Sequence, residues 1–370
     1  MDRPEGTIRW LVGLSFLLVV VIILSARIGP VSIDSWSVIA AVLNGLWLPT
    51  GLTIEWRSVN YFGNPRITLP RPLVTGSRPF AFSIARTDET IIRSIRLPRI
   101  ILGAIVGFAL AAAGTVMQGF FRNPMADPSI IGVSGGAALG AVAFIVLPIA
   151  FNPMGLGLQA AAFSGALIAA FVVYAIATTN GRTPVATLLL AGIAVQTFLG
   201  ALISYLILRS GDSMEEAVFW LMGRLHNSTW GEVLIAGPFV LIFFVLLMAY
   251  TRDLNVLLLG EEDAHTLGIE VERTKQLLLA ASSIITAAAV AVSGVIGFVG
   301  LIVPHMMRLL VGPDHRILLP TSALAGAAFL VATDTLARGG PVQVPVGIIT
   351  AALGAPFFLY LLRTREVHAL

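Results

Sequence analysis

No cysteine occurs anywhere in this 370-residue sequence, which excludes disulfides, thiolate metal sites and cysteine nucleophiles together. Lysine is nearly as scarce: of 23 basic residues, all but Lys275 are arginine. A Walker A phosphate loop needs a lysine directly after its glycines, and Lys275, in VERTKQL, has no such setting. The chain therefore has no P-loop with which to bind and hydrolyse ATP. His226, His265, His305, His315 and His368 are scattered, without H-E-x-x-H or another ligand spacing, so no metal site is expected. His305, behind Pro304 in GLIVPHMMR, reads as a packing residue. There is no G-x-S-x-G elbow and no pair of catalytic carboxylates, which argues against an intramembrane hydrolase. No run of basic residues is interleaved with aromatics, so nucleic acid is not an expected partner. Charge of either sign is sparse, 12% of residues against about 25% in soluble domains.

What is present is apolar. Hydrophobic residues make up 57% of the chain, and they fall into ten runs: roughly 8–28, 98–118, 129–148, 157–178, 186–208, 233–251, 276–294, 296–311, 317–336 and 344–363. Most are near the length that crosses hydrocarbon. The predicted class is an all-α polytopic membrane protein of about ten helices. The first run follows Arg3 but is longer than a signal-peptide core and has no A-x-A site after it, so residues 1–28 are predicted to be a retained first helix.

Residues 29–96 are the outlier. Asp34-Ser35 caps an amphipathic stretch to Leu48, and the rest, rich in Pro, Arg, Gly and Thr, is predicted to be a loop outside the bilayer. Residues 97–370 form the remaining membrane core. Arg96 and Arg99 flank Pro98 at the predicted start of the second span, and Gly103, Gly107, Gly132, Gly136 and Gly140 are predicted to let helix backbones approach closely. With the long loop set aside, the outer connections hold only Arg209, Arg224 and Arg338, while the inner ones hold most of the remaining Lys and Arg. That bias places both termini in the cytoplasm.

The longest inner insertion is 257–276, LLLGEEDAHTLGIEVERTKQ. It is predicted to form two short surface helices joined at Gly268, with Ala264 and Leu267 on one face. Polar residues at membrane depth are few: Gln118, Gln159, Gln196 and Asp334. Gln118 and Asp334 lie near the ends of their runs, where a cap or an interhelical hydrogen bond accounts for them. No midplane carboxylate is available to an ion-coupled carrier, so an external energy source is expected.

Six stretches carry a family resemblance: RLPR at 96–99, AAAGTVMQGFFRNPMADPSIIGVSGGAALG at 111–140, LLLAG at 188–192, GEEDAHTLGI at 260–269, SGVIGFVGLIVPHMMRLLVGPDHRILLP at 293–320 and VPVGIITAALGAPFFLYLL at 344–362. Their order, from Arg96 to the C-terminus, resembles the FecCD-type permease subunits of type II ABC importers, which carry iron-siderophores, haem or cobalamin. The resemblance implies a homodimer, or a heterodimer of homologues, with the path on the dimer axis. It implies two ATPase subunits on the cytoplasmic face, an extracytoplasmic substrate-binding protein, and no cofactor on this chain, since ATP acts on the partner. Arg96, Arg99 and Arg338 match residues that pair with glutamates of the binding protein. Gly260, Glu261, Glu262, Ala264, His265, Leu267 and Gly268 match the loop that seats in the ATPase. Thr183, Val185, Ala186 and Thr187 match the cytoplasmic gate, although Val185 and Ala186 replace the small hydroxyl residues of cobalamin importers. The fifth and tenth runs would line the path, with Gln196 its polar residue. An iron chelate is the expected cargo and cobalamin the alternative. Residues 49–86 read as an insertion absent from the usual family pattern.

Overall fold

The computed structural model describes residues 3–46, 48–61, 64–147, 152, 155–340 and 343–364. Helices α1 (Arg3–Arg27) and α2 (Ser35–Gly45) precede strands β1 (Leu48–Tyr61) and β2 (Asn64–Ser77). A short α3 (Arg86–Thr90), a π-helical stretch Ile91–Arg96 and α4 (Leu97–Phe120) then form one continuous rod. Next come α5 (Val133–Val146), α6 (Gly157–Ala177), α7 (Val185–Leu208), α8 (Met214–Leu221) and α9 (Trp230–Ala249). The chain closes with α10 (Thr251–Leu257), α11 (Glu261–Thr266), α12 (Val271–Ser293), α13 (Val299–Val311), α14 (His315–Arg338) and α15 (Val346–Thr364).

Each of the ten expected runs carries a helix. Seven are long and apolar enough to cross a bilayer: α1, the α3–α4 rod, α6, α7, α9, α12 and α14. The shorter apolar helices α5, α13 and α15 occupy the other three runs. The membrane-crossing part is all-α, as expected.

The second span does not begin at Arg96. It begins at Arg86, where Asp88 and Glu89 occupy the first turn, acids at the end of the helix dipole that favours them. Arg96 and Arg99 therefore lie inside a rod, and the opposition between cation and dipole expected of a helix start does not arise. Pro98 explains the π-helix just ahead of it. Proline lacks the N–H for an ordinary helical bond, and its ring crowds the carbonyl four residues back. Widening the preceding turn, with the Leu97 N–H donating five residues back to Ile92, relieves the crowding without breaking the rod.

The segment expected to be a loop is largely ordered. Asp34 accepts from the Trp36 N–H at 2.9 Å and caps α2, which ends at Gly45. Within the 49–86 insertion, β1 and β2 pair antiparallel from Leu48↔Ser77 to Tyr61↔Asn64. The alternation in LTIEWRSV is a strand signal that the reading of this segment as a loop, made on its Pro, Arg, Gly and Thr content, did not take up. A two-stranded hairpin has two free edges. Pro70 and Pro72, opposite Trp56 and Ile54, are two residues apart and so direct their missing N–H groups to one side, a loss that an edge strand tolerates. Asn44 closes the base of the segment, donating to the Phe82 carbonyl at 2.9 Å and accepting from its N–H at 2.8 Å.

The axis of the bundle is α4, α12 and α14, whose apolar windows are 78%, 72% and 67% buried, against 6% for α1 and 22% for α7 and α9. Small residues set the spacing. At the α4–α14 crossing a Cβ on Gly107 would strike the Gly326 carbonyl, and one on Gly326 would strike that of Gly107. Gly136 and Gly165 oppose each other in the same way between α5 and α6, where Gly140 also faces the Ala161 carbonyl. Gly114 against Gly300 is a further crossing that the sequence reading did not single out. Two of the expected packing glycines stand elsewhere. Gly103 meets only the movable Leu225 side chain at 3.3 Å and the edge of Val331. Gly132, at φ +84°, is the left-handed link between a 3-10 turn (Pro128–Ile131) and α5, a demand on conformation rather than on space.

Candidate functional site

α4 and α14 run antiparallel, with Gly103 beside Val331 and Gly119 beside His315. Arg99 and Gly119 thus mark opposite ends of the bundle, about 30 Å apart at 1.5 Å per helical residue. Functional residues expected from the sequence gather at both ends.

At the Arg99 end, the three arginines expected to dock a partner are engaged within the chain. Arg96 is 4% exposed. Its guanidinium donates to the carbonyls of Ala26 at 2.5 Å, Arg27 at 3.1 Å and Val31, so it caps the C-terminus of α1. Arg99 grips Asp334 through Nε and Nη2, at 3.0 and 2.8 Å, and donates through Nη1 to Gln343 at 3.2 Å. Arg338 donates to the Ser25 carbonyl at 2.5 Å and to the Ser25 hydroxyl, with Nε 3.5 Å from Asp334. Asp334 is thus not a helix-end cap but the shared anion of two arginines. Ser25 is its unforeseen companion, and nothing in its local sequence distinguishes it.

Around Asp334 itself, one carboxylate shared by Arg99 and Arg338 leaves an excess of positive charge. Arg99 also lines a cleft of about 240 Å³ with Arg224, His226, Asn227 and Gln343. Desolvation, and then the charges of Arg224 and Arg99, hold the His226 imidazole below its ordinary value. The cleft suits an acidic surface.

At the opposite end, Asn255 of α10 donates to Asp314 at 2.7 Å, and its carbonyl oxygen accepts from the His315 N–H at 2.9 Å. This fixes the inner insertion to the start of α14. Gly260 and Gly268, at φ +133° and +85°, bracket α11. Of the expected pair of short helices, only α11 is separate, because the second is the opening of the long α12 and α10 precedes both. Ala264 is fully buried while Leu267 is 62% exposed, so these two do not share an environment. Glu261, Glu262, His265 and Gly268 are exposed beside Leu267.

The expected gate turn lies beside this insertion. Thr179-Asn180-Gly181-Arg182 is a two-residue reversal with φ +54° and +73° at its centre and a bridge between Thr179 and Arg182, the turn that Asn-Gly favours. Thr183 is buried, Val185 is half-buried, and Ala186 and Thr187 are exposed on the first turn of α7. Lys275, 3% exposed, donates to the Thr183 carbonyl at 2.7 Å, to Glu261 at 3.1 Å and to Glu272 at 3.1 Å. Sequence reasoning noticed this lysine only as an absence of P-loop chemistry.

Gln196 is half-buried and spends its amide on the Ser129 carbonyl. Gln118 bridges α4 to α13, donating to Leu301 at 2.9 Å and accepting from Arg308 at 3.2 Å. The exposed face of α7 carries instead Thr197, Gly200 and Ser204. Both hydroxyls donate to the carbonyl one turn back at 2.9 Å. Their three-and-four spacing makes a mildly polar stripe on an otherwise apolar helix.

Residues 17–364 match the FecCD transport family. The chain belongs to that family. This FecCD chain is 56% identical over 373 residues to the cobalamin import system permease protein BtuC of Halobacterium salinarum, with 100% of both chains covered. It is 46% identical over 280 residues to the hemin transport system permease protein HmuU of Yersinia pestis, covering 74% of this chain and 83% of that protein. Among solved structures, it is similar to a metal-chelate type ABC transporter in an inward-facing conformation, with TM-score 0.77 and 30% identity over 96% of this chain and 99% of the other. The FecCD chain is a multi-pass membrane permease subunit of an ABC importer, as the six motifs implied.

Proposed function

We propose that this permease carries cobalamin inward across the cell membrane as one half of a homodimer. The observation that carries the cargo assignment is the 56% identity to a cobalamin permease over the whole of both chains. The hemin permease is more distant and leaves about a quarter of this chain unmatched. That gradient outweighs Val185 and Ala186 at the gate and reverses the order expected from sequence, which put ferric siderophore or haem first.

The rest of the assembly follows the two ends. An extracytoplasmic binding protein docks at the Arg99 end, where the excess of arginine supports an acidic partner. Arg99 and Arg224 face the cleft, while Arg96 and Arg338 hold the surface in shape behind it. Two ATPase subunits seat at the α11 end, a placement supported by the exposed Leu259 and Leu267 beside Glu262 and His265. Both termini lie on that cytoplasmic side. The Thr197–Ser204 stripe of α7 and a second copy of itself line the path, and the Thr183–Thr187 turn closes it below. The cycle alternates between outward- and inward-facing states, biased by ATP bound to the partner.

The test is uptake by the complete complex in proteoliposomes supplied with labelled cobalamin, hemin and ferric citrate in turn. Cobalamin uptake that requires ATP is expected. Uptake of hemin or ferric citrate in its place would restore the iron assignment, and uptake by the permease without its ATPase would remove the importer reading altogether.

A further inference from the structure

Lysine has three protons to donate, and Lys275 gives them to three separate pieces of the chain. One goes to Glu261, the first residue of α11; one to Glu272, on the first turn of its own helix; one to the Thr183 carbonyl, one residue before Pro184, the N-cap of α7. Glu272 returns to the same residue from the other side, its second oxygen accepting from the Thr183 N–H at 3.3 Å. The backbone N–H and C=O of Thr183 are therefore both held by the base of α12. The Thr183 hydroxyl meets that of Thr178 at 2.9 Å across the Asn-Gly reversal.

We infer that Lys275 is the coupling latch of the permease, the positioning residue through which displacement of α11 reaches the start of α7. The inference rests on the reading of α11 as the ATPase contact and of the Thr183–Thr187 turn as the gate. A buried ammonium with all its donors committed does not leave one acceptor without gaining another. Glu261 is the outward arm, with 44% of its side chain exposed, against 4% for Lys275. When an attached ATPase shifts α11, the Glu261 carboxylate is pulled from or pressed onto Nζ. The remaining bonds to Thr183 and Glu272 must then redistribute. The element that yields is the Thr183 link, because the other two acceptors sit in the first turns of helices and this one lies in the non-helical stretch between the Thr179–Arg182 reversal and α7. α7 begins two residues on, at Val185, and follows.

The experiment uses the complete importer, reconstituted with its ATPase and binding protein, and reads cargo molecules moved per ATP hydrolysed. Glu261→Gln removes the outward arm at a half-exposed position and leaves the two inner bonds of Lys275 intact. Lys275→Met removes all three. Both variants are expected to lower the cargo moved per ATP hydrolysed tenfold or more, whatever their own rate of hydrolysis. A merely structural lysine would lower uptake and hydrolysis in proportion, and that result overturns the latch. So does Glu261→Gln with unchanged stoichiometry, which keeps the question open to test even when Lys275→Met fails to assemble. Leu267→Glu separates the two levels: loss of ATPase co-purification in that variant supports α11 as the contact. ATPase retained by Leu267→Glu would sink the contact reading itself, whatever the Glu261 result.

Discussion

Arg99 and Asp334 meet in a two-point ion pair at the end of the bundle, arginine Nε and Nη2 lying 3.0 and 2.8 Å from the two carboxylate oxygens. The carboxylate is 1% exposed and is also approached by Arg338. Removing one member of such a set strands the others. Asp334→Asn is expected to destabilise the protein by about 3–5 kcal/mol, because two buried guanidinium groups lose their counter-charge. Asp334→Leu combined with Arg99→Leu should be milder than the sum of its parts. Thermal unfolding in detergent, run as a double-mutant cycle, measures both.

Replacing arginines one at a time should divide their roles. Arg96→Ala uncaps α1 and is expected to lower thermal stability. Arg224→Glu, on a half-buried side chain at the cleft, should leave unfolding unchanged and weaken attachment of the binding protein roughly tenfold or more. Equal affinity for the parent and Arg224→Glu permeases, measured by surface plasmon resonance, would remove the cleft from the docking surface.

The cleft should also respond to pH. His226 is held below its ordinary value by desolvation and by Arg224 and Arg99. A histidine with a depressed folded pKa binds fewer protons folded than unfolded. Stability is therefore full above the unfolded value, about 6.5, and declines as pH falls toward the folded one. Attachment of an acidic partner runs the other way, since a protonated His226 adds positive charge to the cleft. Docking is expected to tighten on acidification while the partner's carboxylates stay ionised, and His226→Gln should flatten both trends.

Glycine crossings give a prediction of steric kind. Gly107→Ala drives a methyl group into the Gly326 carbonyl and should cost about 1–3 kcal/mol. Gly103→Ala meets only a movable leucine and Gly200→Ala meets open space, so both should melt close to the parent. Ranking the three variants by detergent melting temperature is the check.

Much of this was legible in the sequence. Each of the ten apolar runs located a helix, because hydropathy reports directly on a solvent that excludes unsatisfied backbone, although the second missed the polar start of its rod at Arg86. Motif order carried the family. What eluded it was long-range: that Asp334 serves two arginines, that Arg96 caps a helix 69 to 70 residues earlier, and that Lys275 touches the turn before α7. No period or spacing encodes a contact between segments far apart in the chain. The hairpin eluded it for a local reason, since prolines that forbid a central strand are harmless on an edge. Gly103 and Gly132 carried the composition of packing residues without the geometry.

Arginine capping of α1 has a consequence for biogenesis. The carbonyls at the far end of α1 wait for Arg96, about 70 residues later, and Ser25 waits for Arg338, 313 residues further along the chain. Until α14 is in place, α1 is held only by Arg96 and by the apolar cluster that joins Ala26 to Ile33, Val38, Ile92 and Ile100. An early helix is thus secured by a late one, and truncations upstream of Arg338 should leave α1 more open to membrane proteases.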